Sequence, residues 1–276
     1  MTSVTIVRGE DVVAIASDGA AYDDEGRLRQ IVSKVELIPH CSLVLASTGS
    51  QLASYNFRDL LFWHPEPPST FDGVLEIAPD LSRSVMDYVE EQGASSTRKF
   101  SLYFAGFSES RGRPETYAIK SYDWPDVPGP DGVLRTAPAF TLVPLPAIHC
   151  TPLPSVELAE GFGITVPGVN MTEMPEDGVR YAMATVAANR FAFGGPDAEL
   201  AGEDPFCCVG GFLQITTIAR SHVSSQIVHR WPDVIGERMD ITRGEPHERC
   251  PLWLLAPPAP ATAAQGVSDP TSEQAP

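Results

Sequence analysis

The sequence predicts an α+β fold in which antiparallel sheets are layered with helices. Three observations carry this. Short β-rich runs occur in pairs at hairpin spacing, helical periodicity is confined to blocks between them, and the order is strands, two helices, strands, helix, strands. A parallel βαβ fold would instead alternate strand and helix, and no repeat of 20–50 residues is present.

Residues 3–8 and 12–18 read as a hairpin, because Val4 and Ile6 alternate with polar neighbours and Gly9-Glu10-Asp11 supplies the turn. Residues 20–30 are polar and read as a loop. Val35–Ile38 and Leu43–Ala46 read as a second hairpin across Pro39-His40. Ser50 stands where it can cap a helix over 51–63, with Leu52, Tyr55, Leu60 and Trp63 at helical spacing. After the break at His64–Pro68, a second helix is expected over about 80–92, with Leu81, Val85, Tyr88 and Val89 on one face. Phe100–Phe107 and Thr116–Ser121 read as strands about the turn Ser108–Arg113. Residues 124–155 read as a Pro-rich, irregular insertion with a short strand-like FTLV. Residues 175–193 carry the strongest helix signal: Pro near the first turn, early acids, and Val179, Met183, Val186 and Ala187 on one face. Strands at 212–219 and 223–228 follow Gly210-Gly211. The expected organisation is one domain over residues 1–255 and a disordered Pro/Ala-rich tail over 256–276.

Composition excludes several functions. The 276 residues carry a formal net charge of −17, which repels phosphate backbones and anionic lipid surfaces, so neither a nucleic acid nor a membrane is the expected partner. No apolar run approaches the roughly 20 residues of a membrane span, and the N-terminus lacks a signal pattern. The five cysteines are an odd number in a long chain, which reads as reduced thiols in a cytoplasmic protein. Cys207-Cys208 lacks the Cys-x-x-Cys spacing or neighbouring His of a metal site, so neither metal nor cofactor is expected.

The opening residues pose a sharper question. Thr2 begins the first strand, Asp18 ends the second, and Lys34 heads the third. A hairpin places Asp18 beside Thr2, and a lysine on the next strand reaches both. A threonine hydroxyl is a weak nucleophile until a base takes its proton, and its own α-amino group, with a reference pKa of about 7.7–8.0, can be that base. A nearby ammonium lowers the pKa of both groups, and a carboxylate holds that ammonium in place. Thr2 serves so only with a free amine, so removal of Met1 is expected.

These residues resemble the N-terminal threonine hydrolases of the proteasome β-subunit and HslV type. The resemblance rests on Thr2-Ser3-Val4-Thr5, Ala16-Ser17-Asp18-Gly19, Lys34-Val35 and Thr48-Gly49-Ser50, without a gap over the first 50 residues, and more loosely on Ala105-Gly106-Phe107, Gly112–Tyr117 and Gly210-Gly211. Met directly before the threonine is similar to the HslV branch. The resemblance implies a four-layer αββα sandwich and peptide-bond hydrolysis with Thr2, Asp18, Lys34 and Gly49 as catalytic residues, Gly49 supplying a backbone N–H to the oxyanion. It also implies peptide or unfolded-protein substrates, a homo-oligomeric ring and an ATP-dependent unfoldase as partner. The sequence departs from the family where Val209 replaces an auxiliary serine and Asp204 fits only in a shifted register. A catalytically degenerate protein with a structural or assembly role is the alternative.

Overall fold

The computed structural model describes residues 2–23, 25–50, 52–91, 99–129, 131–164, 178–192 and 207–250. The first hairpin joins β1 (Val4–Arg8) to β2 (Val12–Asp18), with Val4 opposite Ser17. A small ribbon follows, β3 (Ala20–Tyr22) with β4 (Leu28–Ile31), where the sequence reads as loop. β5 (Val35–Ile38) and β6 (Leu43–Gly49) form the second hairpin. Then come α1 (Leu52–Phe62), α2 (Phe71–Glu91), and the hairpin of β7 (Phe100–Ser108) and β8 (Arg113–Lys120).

The Pro-rich stretch is more ordered than its sequence suggests. It forms the ribbon β9 (Trp124–Pro128) and β10 (Leu134–Ala137), then β11 (Val143–Pro144) and β12 (Ile148–Thr151). β11 pairs with β8 and β12 with β1, each at a sheet edge, and Pro144 stands where β11 turns its backbone nitrogen away from β8, so the missing N–H costs no ladder bond. The chain continues through α3 (Val156–Gly161), α4 (Gly178–Asn189), β13 (Phe212–Ala219), β14 (His222–Arg230) and α5 (Pro246–Arg249). The expected start of α4 at 175–177 and the tail 256–276 lie outside the described residues.

Two five-stranded antiparallel sheets result. The first has the order β12-β1-β2-β13-β14 and the second β11-β8-β7-β6-β5. Their inner faces meet on Val4, Ile6, Ile15, Val44, Tyr103 and Ala105. Both faces of the central strands are covered, and all nine residues of β7 are buried. β1 nonetheless alternates in sequence, Val4 and Ile6 facing the second sheet and the buried Thr5 between them facing the other way.

The expected four-layer αββα sandwich is overturned. The described residues are mostly antiparallel sheet with few helices, 39% strand against 27% helix. The long pair α1 and α2 covers the second sheet. Outside the first sheet lie the twelve-residue α4 and the six-residue α3, too little for a full helical layer among the described residues.

α2 starts nine residues before its expected beginning at Asp80, because Pro79 reads as a break but lies inside the helix. Thr70 caps it, its Oγ1 accepting the Gly73 N–H at 3.1 Å. Phe71, Val74, Ala78, Val85 and Val89 are all fully buried on one face, and that burial offsets the roughly 3 kcal/mol that an interior proline costs.

Gly106 sits on β7 directly beneath the buried ring of Phe71, and any Cβ there runs into that ring. Gly106→Ala is therefore expected to destabilise the fold by about 1–3 kcal/mol through overpacking. Urea unfolding followed by circular dichroism measures it, and an unchanged midpoint would contradict this packing.

Candidate active site

Asp18 is the centre of the site. It ends β2 between β1 and β13 and is fully buried. Its Oδ1 accepts the Ser3 N–H at 3.0 Å and the Lys34 ammonium at 2.8 Å, and its Oδ2 accepts the N–H groups of Ala20 at 3.1 Å and Gly210 at 3.3 Å. A buried carboxylate persists only with such partners. The Asp18–Lys34 pair also ties the two sheets together, since Lys34 leads into β5 of the second.

Lys34 is only 6% exposed. Burial pulls its ammonium below the ordinary lysine value, and the Asp18 carboxylate opposes that pull. Its backbone is pinned as well: its carbonyl accepts the Ser47 N–H at 3.3 Å, and the preceding Ser33 bonds through Oγ to the Gln214 side chain of the first sheet at 3.0 Å.

Thr2 directly precedes Ser3 and is 9% exposed. Asp18 Oδ1 holds both Ser3 N and Lys34 Nζ, so Nζ lies no further from Ser3 N than the sum of those two bonds, and Thr2 is one peptide away. The Ser3 side chain is fixed too, its Oγ accepting from Asn189 Nδ2 at 2.9 Å, while the same amide donates to the Pro152 carbonyl at 2.9 Å. Met1 lies outside the described residues.

Gly49 ends β6 with φ +84, a conformation that favours glycine, and a Cβ there would collide with the Lys99 carbonyl. Ser47 donates to Lys34 across the ladder. By the two-residue alternation of a strand, the Gly49 N–H faces the same edge, beside the lysine. The structure thus brings Asp18 and Lys34 together beside Ser3, the residue after Thr2, and Gly49 follows Ser47, the ladder partner of Lys34, by two residues on β6.

Two supporting residues, Arg190 and Asp233, were not legible in the sequence, and the role of Gly210 was not either. Gly210 donates to Asp18, and the turn that aims it is clamped by a buried ion pair. Arg190, 2% exposed, donates to the Val209 carbonyl at 2.7 Å and to both oxygens of Asp233 at 2.9 and 2.7 Å. Asp233 in turn accepts the Gly211 N–H at 2.7 Å. The available signal was Asn189-Arg190 closing an otherwise apolar helix; Asp233 had none. Val209, in the place of the auxiliary serine, turns its side chain into the core under α4, and Asp204 lies outside the described residues. Cys208 sits close enough to Lys34 and Asp18 to feel their charges, and burial raises its thiol pKa. All five cysteines are free, and among the described residues no group of three or more His, Cys, Asp or Glu could hold a metal ion.

No family model matches the chain, and no curated protein does. Among solved structures the fold is similar to Anbu (ancestral beta-subunit) from Yersinia bercovieri, at 11% identity and a TM-score of 0.50, over 82% of this chain and 86% of that one. It is also similar to the Anbu (Gly-1) mutant from Hyphomicrobium sp. strain MC1, at 14% identity and a TM-score of 0.50, over 84% of this chain and 89% of that one. These neighbours overturn the expected assignment to the proteasome β-subunit and HslV type: they are Anbu (ancestral beta-subunit) proteins, and at these identities the likeness is one of fold.

Proposed function

We propose that this chain is an N-terminal threonine hydrolase that cleaves peptide bonds with Thr2 after Met1 is removed. The observation that supports it is the buried Asp18 carboxylate, which holds the Lys34 ammonium and the Ser3 N–H on one oxygen beside Thr2. In this reading the Thr2 α-amine takes the proton from Oγ as Oγ bonds to the substrate carbonyl carbon. The Gly49 N–H stabilises the oxyanion. The C–N bond breaks as the leaving amine receives that proton, leaving an ester on Thr2 that water hydrolyses. Lys34 lowers the pKa of the hydroxyl and amine, and Asp18 balances its charge.

The same proposal includes a homo-oligomer that encloses the site. Trp63, 86% exposed, and Phe62, 52% exposed, offer apolar surface at the end of α1 for such contacts. A second reading, a catalytically degenerate structural subunit, is favoured by the burial of Val209, which stands where the resembled family pattern has an auxiliary serine.

Two experiments separate these readings. Intact-mass measurement on protein from its native host is expected to give a mass one methionine short. Thr2→Ala is expected to abolish cleavage of a mixed peptide library read by mass spectrometry, with the circular dichroism spectrum unchanged. Retention of Met1, or cleavage that survives Thr2→Ala, removes Thr2 as nucleophile.

Lys34→Ala is expected to lower turnover by about 10²–10⁴-fold. The pH profile adds a sign. Burial sets the folded Lys34 pKa below its unfolded value, so the unfolded chain binds more protons between the two and stability rises with pH across that window. Activity, which needs the ammonium, falls through the lower end of that window, so its alkaline limb lies below the ordinary lysine value of 10.5. In an active Lys34→Arg variant the limb moves to higher pH. A limb unmoved by that substitution contradicts the role given to Lys34.

A further inference from the structure

The chain contains three lysines, Lys34, Lys99 and Lys120, and every other cationic side chain apart from histidine is an arginine. All three lysines stand along one rim of the second sheet. Lys34 leads into β5, Gly49 ends β6, Lys99 immediately precedes β7 and Lys120 ends β8. The rim is continuous: Gly49 pairs with Phe100, the Lys99 carbonyl packs against Gly49, and Ser101 pairs with Lys120. Neighbouring strands are about 4.8 Å apart, so Lys99 and Lys120 begin one and two strands beyond Gly49.

Lys34 has its carboxylate; the other two do not. Among the described residues neither Lys99 nor Lys120 makes an ion pair. Instead both ammonium groups converge on one aromatic ring, each 5.4 Å from the centre of Tyr122, and Lys120 also stands 3.8 Å over Trp124. Like charges held on one ring repel, and in a chain of net charge −17 these two ammonium groups, without an ion pair among the described residues, are a site where an added carboxylate relieves that repulsion. Polar groups lie buried beneath this rim. Tyr103 OH lies 3.3 Å from Thr48 Oγ1, and the His149 ring packs tilted against Tyr103 and edge-on to Trp124, its buried Nε2 lacking a hydrogen-bond partner among the described residues. Burial and the Lys120 charge bring the His149 pKa down to about 4, so the imidazole is neutral at pH 7 and adds no charge of its own to the rim.

We infer that Lys99 and Lys120 form a subsite for an acidic side chain of the substrate, one to two strands from the oxyanion donor Gly49. The substrate class is therefore peptides bearing Asp or Glu near the scissile bond. This rests on the reading of Thr2 as nucleophile for the identity of the ligand as a peptide, and the lysine geometry carries the charge preference.

Binding and turnover test the two parts separately. Calorimetry on the full-length Thr2→Ala protein compares an N-acetylated tetrapeptide containing Glu with its Gln counterpart. The Glu peptide is expected to bind roughly tenfold tighter, since each partly exposed ammonium contributes up to about a kilocalorie of attraction. The preference weakens with salt, disappears in Lys99→Gln/Lys120→Gln and persists in Lys99→Arg/Lys120→Arg. Equal affinity for the two peptides, binding of neither, or a preference that survives the glutamine pair overturns the subsite. Turnover of the same peptides by protein with Thr2 intact is measured in parallel. Preference without turnover removes Thr2 as nucleophile and leaves the subsite; turnover without preference does the reverse.

Discussion

The structure depends on a single buried carboxylate. Asp18 has no solvent to stabilise its charge, so the fold surrounds it with three backbone N–H groups and one ammonium. Each donor comes from a different part of the chain: the start of β1, the turn after β2, the lead into β5, and the turn before β13. Removing any one of them leaves the others organised around an under-satisfied buried charge, which is among the costliest defects a core can carry. The same carboxylate therefore closes the first sheet, joins it to the second, and fixes the ammonium beside Thr2.

A second buried pair supports the first. Arg190 and Asp233 clamp the Gly210-Gly211 turn, and Trp231 packs its ring 5.2 Å from the Arg190 guanidinium. Arginine suits this place because its planar fork can bind a carboxylate bidentately while donating to the Val209 carbonyl. The outer ion pair sets the position of a backbone amide, and that amide holds the inner carboxylate.

The legible parts of the molecule were those governed by local periodicity. The two N-terminal hairpins, α1, the β7–β8 hairpin and the last two strands lie where alternation and turn residues place them, and of the residues singled out at the N-terminus Asp18 and Lys34 are in direct contact, one residue from Thr2 through Ser3. The less legible parts obey longer-range physics. α2 runs through Pro79 because a buried face outweighs a local penalty. β12 is an edge strand in a Pro-rich stretch because its partner β1 lies about 140 residues upstream. The ribbon of β3 and β4 is too short to carry a pattern. A full helical layer over the first sheet was expected from resemblance, not from periodicity, and the described residues do not build it. Arg190 and Asp233 escaped notice because a buried ion pair has no sequence period at all.

The scarcity of lysine has a further consequence for reactivity. Arginine stays protonated and is a poor nucleophile under ordinary conditions, whereas an amine can lose its proton and attack an electrophile. A protein whose cations, histidine apart, are otherwise arginines has confined its side-chain amine chemistry to one rim of the second sheet. There Lys34 is shielded by burial, while Lys99 is open to solvent. Acylating reagents that seek lysine would thus act as a local probe of this rim, and the rest of the molecular surface offers them no side-chain amine.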